Sequence, residues 1–334
     1  MLILAGDIGG TNGRLRIVRV AAGVQTVVRE ATLPSRDFAT LQSLLLAFLN
    51  AGEPRQAAAQ GIQAAALGIA APVVDGAART TNLPWPLVTE QELQAALGVP
   101  VRLLNDLEAL AMGILTLPAD ALTVLQAGRQ RVGPRAVIAP GTGLGQAIIW
   151  QADGRAHVQA TEGGHTEFGP QDDADLALWR LARARWPHVS WERVVSGPGL
   201  QLIWQCLTTS LGEPVCTEVT RVGELGGDVP GAIGRHGVSQ ACPTCAKAVQ
   251  WLARLLGAQA GNLALTIWPV SGVYLAGGLT AHLWPVLQAG AFLAGFHAKG
   301  RYHAHMHDFP VFALRDATVA LRGATQAACD LARS

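Results

Sequence analysis

Apolar residues in this chain come in short runs broken by glycine- and proline-bearing turns, and their spacing changes from run to run. Residues 2–5 are continuously apolar. After Gly6-Asp7-Ile8-Gly9-Gly10-Thr11-Asn12-Gly13 comes a second run over 15–20, flanked and interrupted by Arg14, Arg16 and Arg19 as in a half-exposed strand. The helical spacing of Leu41, Leu44, Leu45, Phe48 and Leu49 predicts a helix over 38–50, and a strand follows over 62–70. Residues 72–86, with Asn82-Leu83-Pro84-Trp85-Pro86, read as loop. Thr89, with Glu92 three residues on, predicts a capped helix over 89–97. A strand over 101–104 then ends in Asn105-Asp106, with a helix from Leu107.

The opening pattern then returns. Residues 136–139 predict a strand, Gly141-Thr142-Gly143-Leu144-Gly145 a turn, and 147–150 a strand. Two strand–glycine turn–strand units, about 130 residues apart in a chain of 334, suggest two similar α/β domains. Downstream, helices are expected over 176–185 and 246–265. A strand over 273–276 feeds Gly277-Gly278, and a closing helix covers 319–328.

Composition narrows the picture. Half the residues are apolar, enough for two cores, and Lys+Arg at 25 against Asp+Glu at 24 leaves no basic stripe for nucleic acid. The apolar start lacks a basic flank and stops at Gly6-Asp7, and no run approaches a membrane span. Five cysteines do not form a disulfide framework. A cytoplasmic chain is the expectation.

The turns carry candidate chemistry. Backbone N–H groups can satisfy a phosphate chain where no side chain holds the backbone away, a reason for glycine at 9, 10, 141, 143 and 145. Thr11 and Thr142 add hydroxyl donors at equivalent points. Asp7 is suited to hold Mg²⁺, directly or through water. No Gly-x-x-x-x-Gly-Lys-Ser/Thr is present, and neither cluster fits a dinucleotide fingerprint. On the acceptor side, Asn105-Asp106 sits at the carboxyl end of a strand, either as a ligand-facing pair or as a helix cap. Glu162-Gly163-Gly164-His165 can turn an acid and a base towards one ligand. With Glu192 these are the types that bind a polyol, although spacing alone does not bring them together.

In this order, Asp7-Ile8-Gly9-Gly10-Thr11-Asn12, Leu104-Asn105-Asp106, Gly141-Thr142-Gly143-Leu144-Gly145, Glu162-Gly163-Gly164-His165, Glu192-Arg193-Val194-Val195-Ser196-Gly197-Pro198-Gly199 and Ala276-Gly277-Gly278 resemble the bacterial glucokinase family. The resemblance implies two actin-like (ribonuclease H-like) α/β domains with mixed sheets flanked by helices and a cleft between them. Residues 1–113 with 314–334 would form the smaller domain and 114–313 the larger. It implies ATP, Mg²⁺ and glucose as ligands, with Asp106 as general base on the 6-hydroxyl. By the same match Asn105, Glu162, His165 and Glu192 bind the sugar. Asp7, Gly9, Gly10, Thr11, Asn12, Gly141, Thr142 and Gly143 serve phosphate and metal, Gly277-Gly278 lies near the adenosine, and a homodimer is implied. Gly13 and Pro140 depart from the family's usual small residues, and Pro140 removes a backbone donor from the second turn. The zinc-binding cysteine cluster that related repressors and sugar kinases carry after the histidine is missing, so no metal beyond Mg²⁺ is assigned.

Other readings are a kinase for a related hexose or N-acetylated amino sugar, a non-catalytic sugar sensor, and an ATPase of actin or chaperone type. The sensor is disfavoured because the first turn begins too early for a preceding DNA-binding helix-turn-helix. Cys242-Pro243-Thr244-Cys245 supplies two of the four ligands zinc needs and reads as structural. His303, His305 and His307 alternate, so on a strand they would share a face, and they too read as structural.

Overall fold

The computed structural model describes residues 1–22, 24–51, 61–80 and 82–333. Residue 81, inside the expected 72–86 loop, lies outside them. The chain forms two compact units, Met1–Pro118 with Asp316–Ser334, and Ala119–Arg315.

The first unit is built on β1 (Leu2–Ile8), β2 (Asn12–Ala21), β3 (Val24–Pro34), β4 (Ile62–Ile69) and, after three two-residue strands, β8 (Val101–Asn105). The order is β3-β2-β1-β4-β8, with β2 antiparallel to β1 and β4 and β8 parallel to it in succession. The central strands β1 and β4 are nearly continuous in apolar residues because they are buried on both faces, whereas β3 is an exposed edge. The helices here are α1 (Leu41–Asn50), α2 (Glu90–Leu97) and α3 (Asp106–Ile114). α1 starts at Leu41, later than its apolar spacing suggests, because Thr40 and Ser43 close a two-way capping box. Residues 72–86 are not wholly loop: β5 (Val73–Val74), β6 (Ala77–Ala78) and β7 (Val88–Thr89) make a small antiparallel sheet.

The second unit has strands β9 (Leu122–Gln126), β10 (Arg135–Pro140), β11 (Leu144–Ala152), β12 (Arg155–Thr161), β13 (Val273–Leu275) and β14 (Val311–Leu314), in the order β12-β11-β10-β13-β14-β9. β10 is antiparallel to β11 and parallel to β13, the arrangement that β1 has with β2 and β4. Between β12 and β13 lie α4 (Asp173–Arg183), α5 (Trp191–Val194), α6 (Gly197–Thr209), α7 (Thr217–Glu224), α8 (Val229–Val238) and α9 (Pro243–Ile267), the last buried along most of its length. After β13 come α10 (Gly278–His282), α11 (Trp284–Gln288), α12 (Ala291–His297) and α13 (His303–Met306).

α13 places His303, His305 and His307 on a helical turn, not on a strand. On a helix, alternate residues point apart. His303 and His307 group with His297, their ring centroids 5.8 and 3.9 Å from it, while His305 packs on Trp268 and Tyr302.

The last helix, α14 (Val319–Leu331), returns to the first unit and packs on α3 and β1. Two glycines allow that approach: a Cβ on Gly323 would lie 1.8 Å from the Ala109 carbonyl oxygen, and one on Gly113 1.9 Å from that of Val319. Among the described residues no helix is long and apolar enough to cross a membrane.

Candidate active site

Strand register places the first unit's candidate residues. Asp7 pairs with Gly68 and Gly68 with Leu104; one step on, Ile8 pairs with Ile69 and Ile69 with Asn105. Asp7 and Asn105-Asp106 therefore leave the same carboxyl edge of the sheet, two strands or about 10 Å apart. Open α/β sheets bind ligands at that edge.

Both residues of Asn105-Asp106 bond the start of α3. Asn105 is the N-cap of α3: its Oδ1 accepts from the Leu107 amide at 2.9 Å, and its Nδ2 donates to the Ala71 carbonyl at 3.0 Å. Asp106 is the first helical residue, and its Oδ1 also accepts from the Leu107 amide at 2.9 Å. A carboxylate in the first helical turn is stabilised by the helix dipole. Gly68 lets α3 lie close on β4, since a Cβ there would be 2.9 Å from that of Ala109.

The turn between β1 and β2 is closed by the Gly9 amide donating to the Asn12 carbonyl at 2.9 Å. Ser35, fully buried, braces it: its amide donates to the Thr11 carbonyl and its hydroxyl to that of Gly9, each at 2.8 Å. No sequence signal pointed to Ser35. Gly9, Gly10, Gly141 and Gly143 all lie outside the left-handed region. Space, not a special backbone conformation, is what they provide. Burial raises the Asp7 carboxyl above the usual carboxylate range, and Arg14, its cross-strand partner, draws it part of the way back. A half-buried carboxylate under that penalty suits a divalent cation, so the residues at this edge fit Mg²⁺.

The second unit's candidate residues converge on Leu144, just after the second turn. Its amide donates to Glu192 Oε2 at 3.0 Å, and a Cβ on Gly143 would lie 2.5 Å from that same oxygen. Its carbonyl oxygen lies where a Cβ of Gly164 would be, at 2.1 Å, so the Glu162–His165 bend presses on β11. Within that bend His165 Nε2 is 3.7 Å from Glu162 Oε2, and both side chains are largely exposed. The Gly197 amide donates to the Gly141 carbonyl at 2.8 Å, and the hydroxyl of Ser196, the cap of α6, donates to the Glu192 carbonyl at 2.7 Å. The run from Glu192 to Gly199 is thus fastened to the second glycine turn through Glu192 and Gly197.

β13 lies beside β10, which brings Gly277 to the same turn. Gly277 has φ +83°, and a Cβ there would lie 2.5 Å from the Pro140 carbonyl oxygen, so only glycine fits. Asp7, Gly9, Gly10, Thr11, Asn12, Asn105 and Asp106 are therefore held by the first unit. Gly141, Thr142, Gly143, Glu162, His165, Glu192, Gly277 and Gly278 are held by the second. Sequence reasoning missed Ser35 and gave Ser196 and Gly197, quoted within the run from Glu192, no role as braces.

Comparison with known proteins agrees. The family model described as Glucokinase matches residues 4–331. A glucokinase of Chromobacterium violaceum is 35% identical over 321 residues, covering 96% of this chain and 87% of that protein. A crystal structure of a glucokinase from an Antarctic psychrotroph superposes with TM-score 0.78 at 26% identity, covering 98% of this chain and 99% of that one. A ROK family glucokinase from Streptomyces griseus, solved with glucose and AMPPNP, has TM-score 0.67 at 21% identity and covers 99% and 100% of the two chains. These neighbours share the actin-like kinase fold expected here.

Proposed function

The chain belongs to the glucokinase family, and from that membership we propose how its residues carry out transfer of the ATP γ-phosphoryl group to the 6-hydroxyl of glucose. Asp106 accepts the hydroxyl proton as the oxygen attacks in line. Asn105, Glu162, His165 and Glu192 hold the remaining sugar hydroxyls. Glycine at 9, 10, 141 and 143 lets phosphate oxygens approach the two turns, with the Thr11 and Thr142 hydroxyls and Asn12 alongside, and Gly277-Gly278 border the adenosine. Asp7 would hold Mg²⁺, directly or through a water. When bound, that ion neutralises charge on the transferring phosphoryl group.

The observation that best supports this reading is the junction at Leu144, which joins the second turn to Glu192 and to the Glu162–His165 bend. ATP as donor is supported by the AMPPNP bound to the Streptomyces griseus relative. A cytoplasmic homodimer belongs to the same reading, and light scattering on the purified protein tests its stoichiometry.

The deciding experiment is a coupled ADP-release assay across sugars and donors. Glucose with ATP is expected to give the highest kcat/KM. A higher value with another hexose, with an N-acetylated amino sugar or with polyphosphate would overturn the assignment.

A further inference from the structure

We propose that Cys216, Cys242 and Cys245 form a binding site for a thiophilic d¹⁰ metal ion, Zn²⁺ with a water as fourth ligand or three-coordinate Cu⁺. Their sulfurs all lie within 4.8 Å of one another. Metal–sulfur bonds of about 2.3 Å set sulfurs roughly 3.8 Å apart on a tetrahedron, so sub-ångström adjustments close the site. Three thiolates without a hard ligand select soft or borderline metals.

Cys242-Pro243-Thr244-Cys245 alone supplies two ligands. The fold adds the third from 26 residues upstream. Cys216 and Cys242 occupy the N-cap positions of α7 and α9, where Ser, Thr, Asp or Asn normally serve, yet neither makes a side-chain cap bond. Helix capping therefore does not account for cysteine at position 216. Burial accounts for cysteine at 242 and 245 but not at 216, which is half-buried.

The site is held in shape without the ion. Thr244, buried between the two cysteines of the pair, donates its hydroxyl to the Pro214 carbonyl at 2.7 Å, and Lys247 pairs with Glu213. The segment leading to Cys216 is thus fastened to the start of α9. Gln259, which reaches towards the Gly163 carbonyl, lies about 25 Å further along that helix. The ion would clasp α7 to α9, remote from the residues proposed to hold sugar, and its effect falls on the stability of the second unit.

The test uses the full-length protein, reduced, stripped with a chelator and reloaded without oxygen, with Zn²⁺ in one arm and Cu⁺ in the other. One equivalent of one of these ions should survive gel filtration, protect Cys216 from alkylation and raise the thermal midpoint. Cys216→Ser should weaken binding by ~100-fold or more, while keeping the thermal midpoint and glucose phosphorylation of the stripped wild type. Equal metal retention by wild type and Cys216→Ser would overturn the proposal. So would alkylation of Cys216 at the same rate with and without metal in both arms, a readout that needs no variant.

Discussion

At the scale of single residues the two acids at the carboxyl edge of the first sheet should separate cleanly. Asp106→Asn keeps the shape at the start of α3 but cannot accept a proton, so kcat should fall by about 10²–10⁴ with little change in the KM for glucose. Steady-state ADP release measures both. Asp7 carries a cost that runs the other way. Its folded pKa is raised, so its contribution favours the fold most below the unfolded value of roughly 3.9 and is lost as pH rises through the folded value. Asp7→Asn should therefore raise the thermal midpoint above that of wild type at pH 7. The gain should vanish at pH values below that of an ordinary carboxylate, and Mg²⁺-dependent turnover should be lost throughout. Residue types and positions made these acids candidates in the sequence, although at a strand end before a helix Asp106 read equally as a cap. The bond from Leu144 to Glu192 was not visible, since it spans 48 residues and exists only once α5 is packed.

At the scale of elements, the two glycines facing Leu144 make a controlled contrast. In Gly143→Ala the new methyl meets the end of the Glu192 side chain, which can swing away. That variant should fold normally and raise the KM for glucose. In Gly164→Ala the methyl meets the Leu144 backbone carbonyl, which cannot yield without opening the β11 hairpin. A loss of about 1–3 kcal/mol in stability is expected, read by urea unfolding. Which glycines matter for space could be guessed from the turns, but which neighbour each one faces could not. Long periodic segments such as α1, α9 and α14 were legible because an apolar stripe repeats several times. β14 was not, with only four residues, all buried and hence without alternation. β3 failed for the opposite reason, as an edge strand whose side chains mostly face water. The alternation of the three histidines fixed no element, because three residues do not establish a period.

At the scale of the whole molecule, the repeated hairpin announced two related units. Local pattern did not reveal that α14 completes the first of them, because nothing in an amphipathic helix says which sheet it will cover. That assignment came from the resemblance alone. The structure supplies a physical reason for it in the glycines at the α3–α14 crossing, where each helix backbone occupies the space of the other's missing side chain. Gly323→Ala would press a methyl on the Ala109 carbonyl, and neither main chain can retreat while β1 supports the pair. An overpacking cost of about 1–3 kcal/mol should therefore fall on the first unit. Limited proteolysis with mass spectrometry reads where it lands. Cuts should appear first within 1–118 and 316–333 while 119–315 persists, and turnover should fall with them because Asp106 sits at the start of the helix that α14 supports. Simultaneous cleavage across both units would instead mean that they unfold as one.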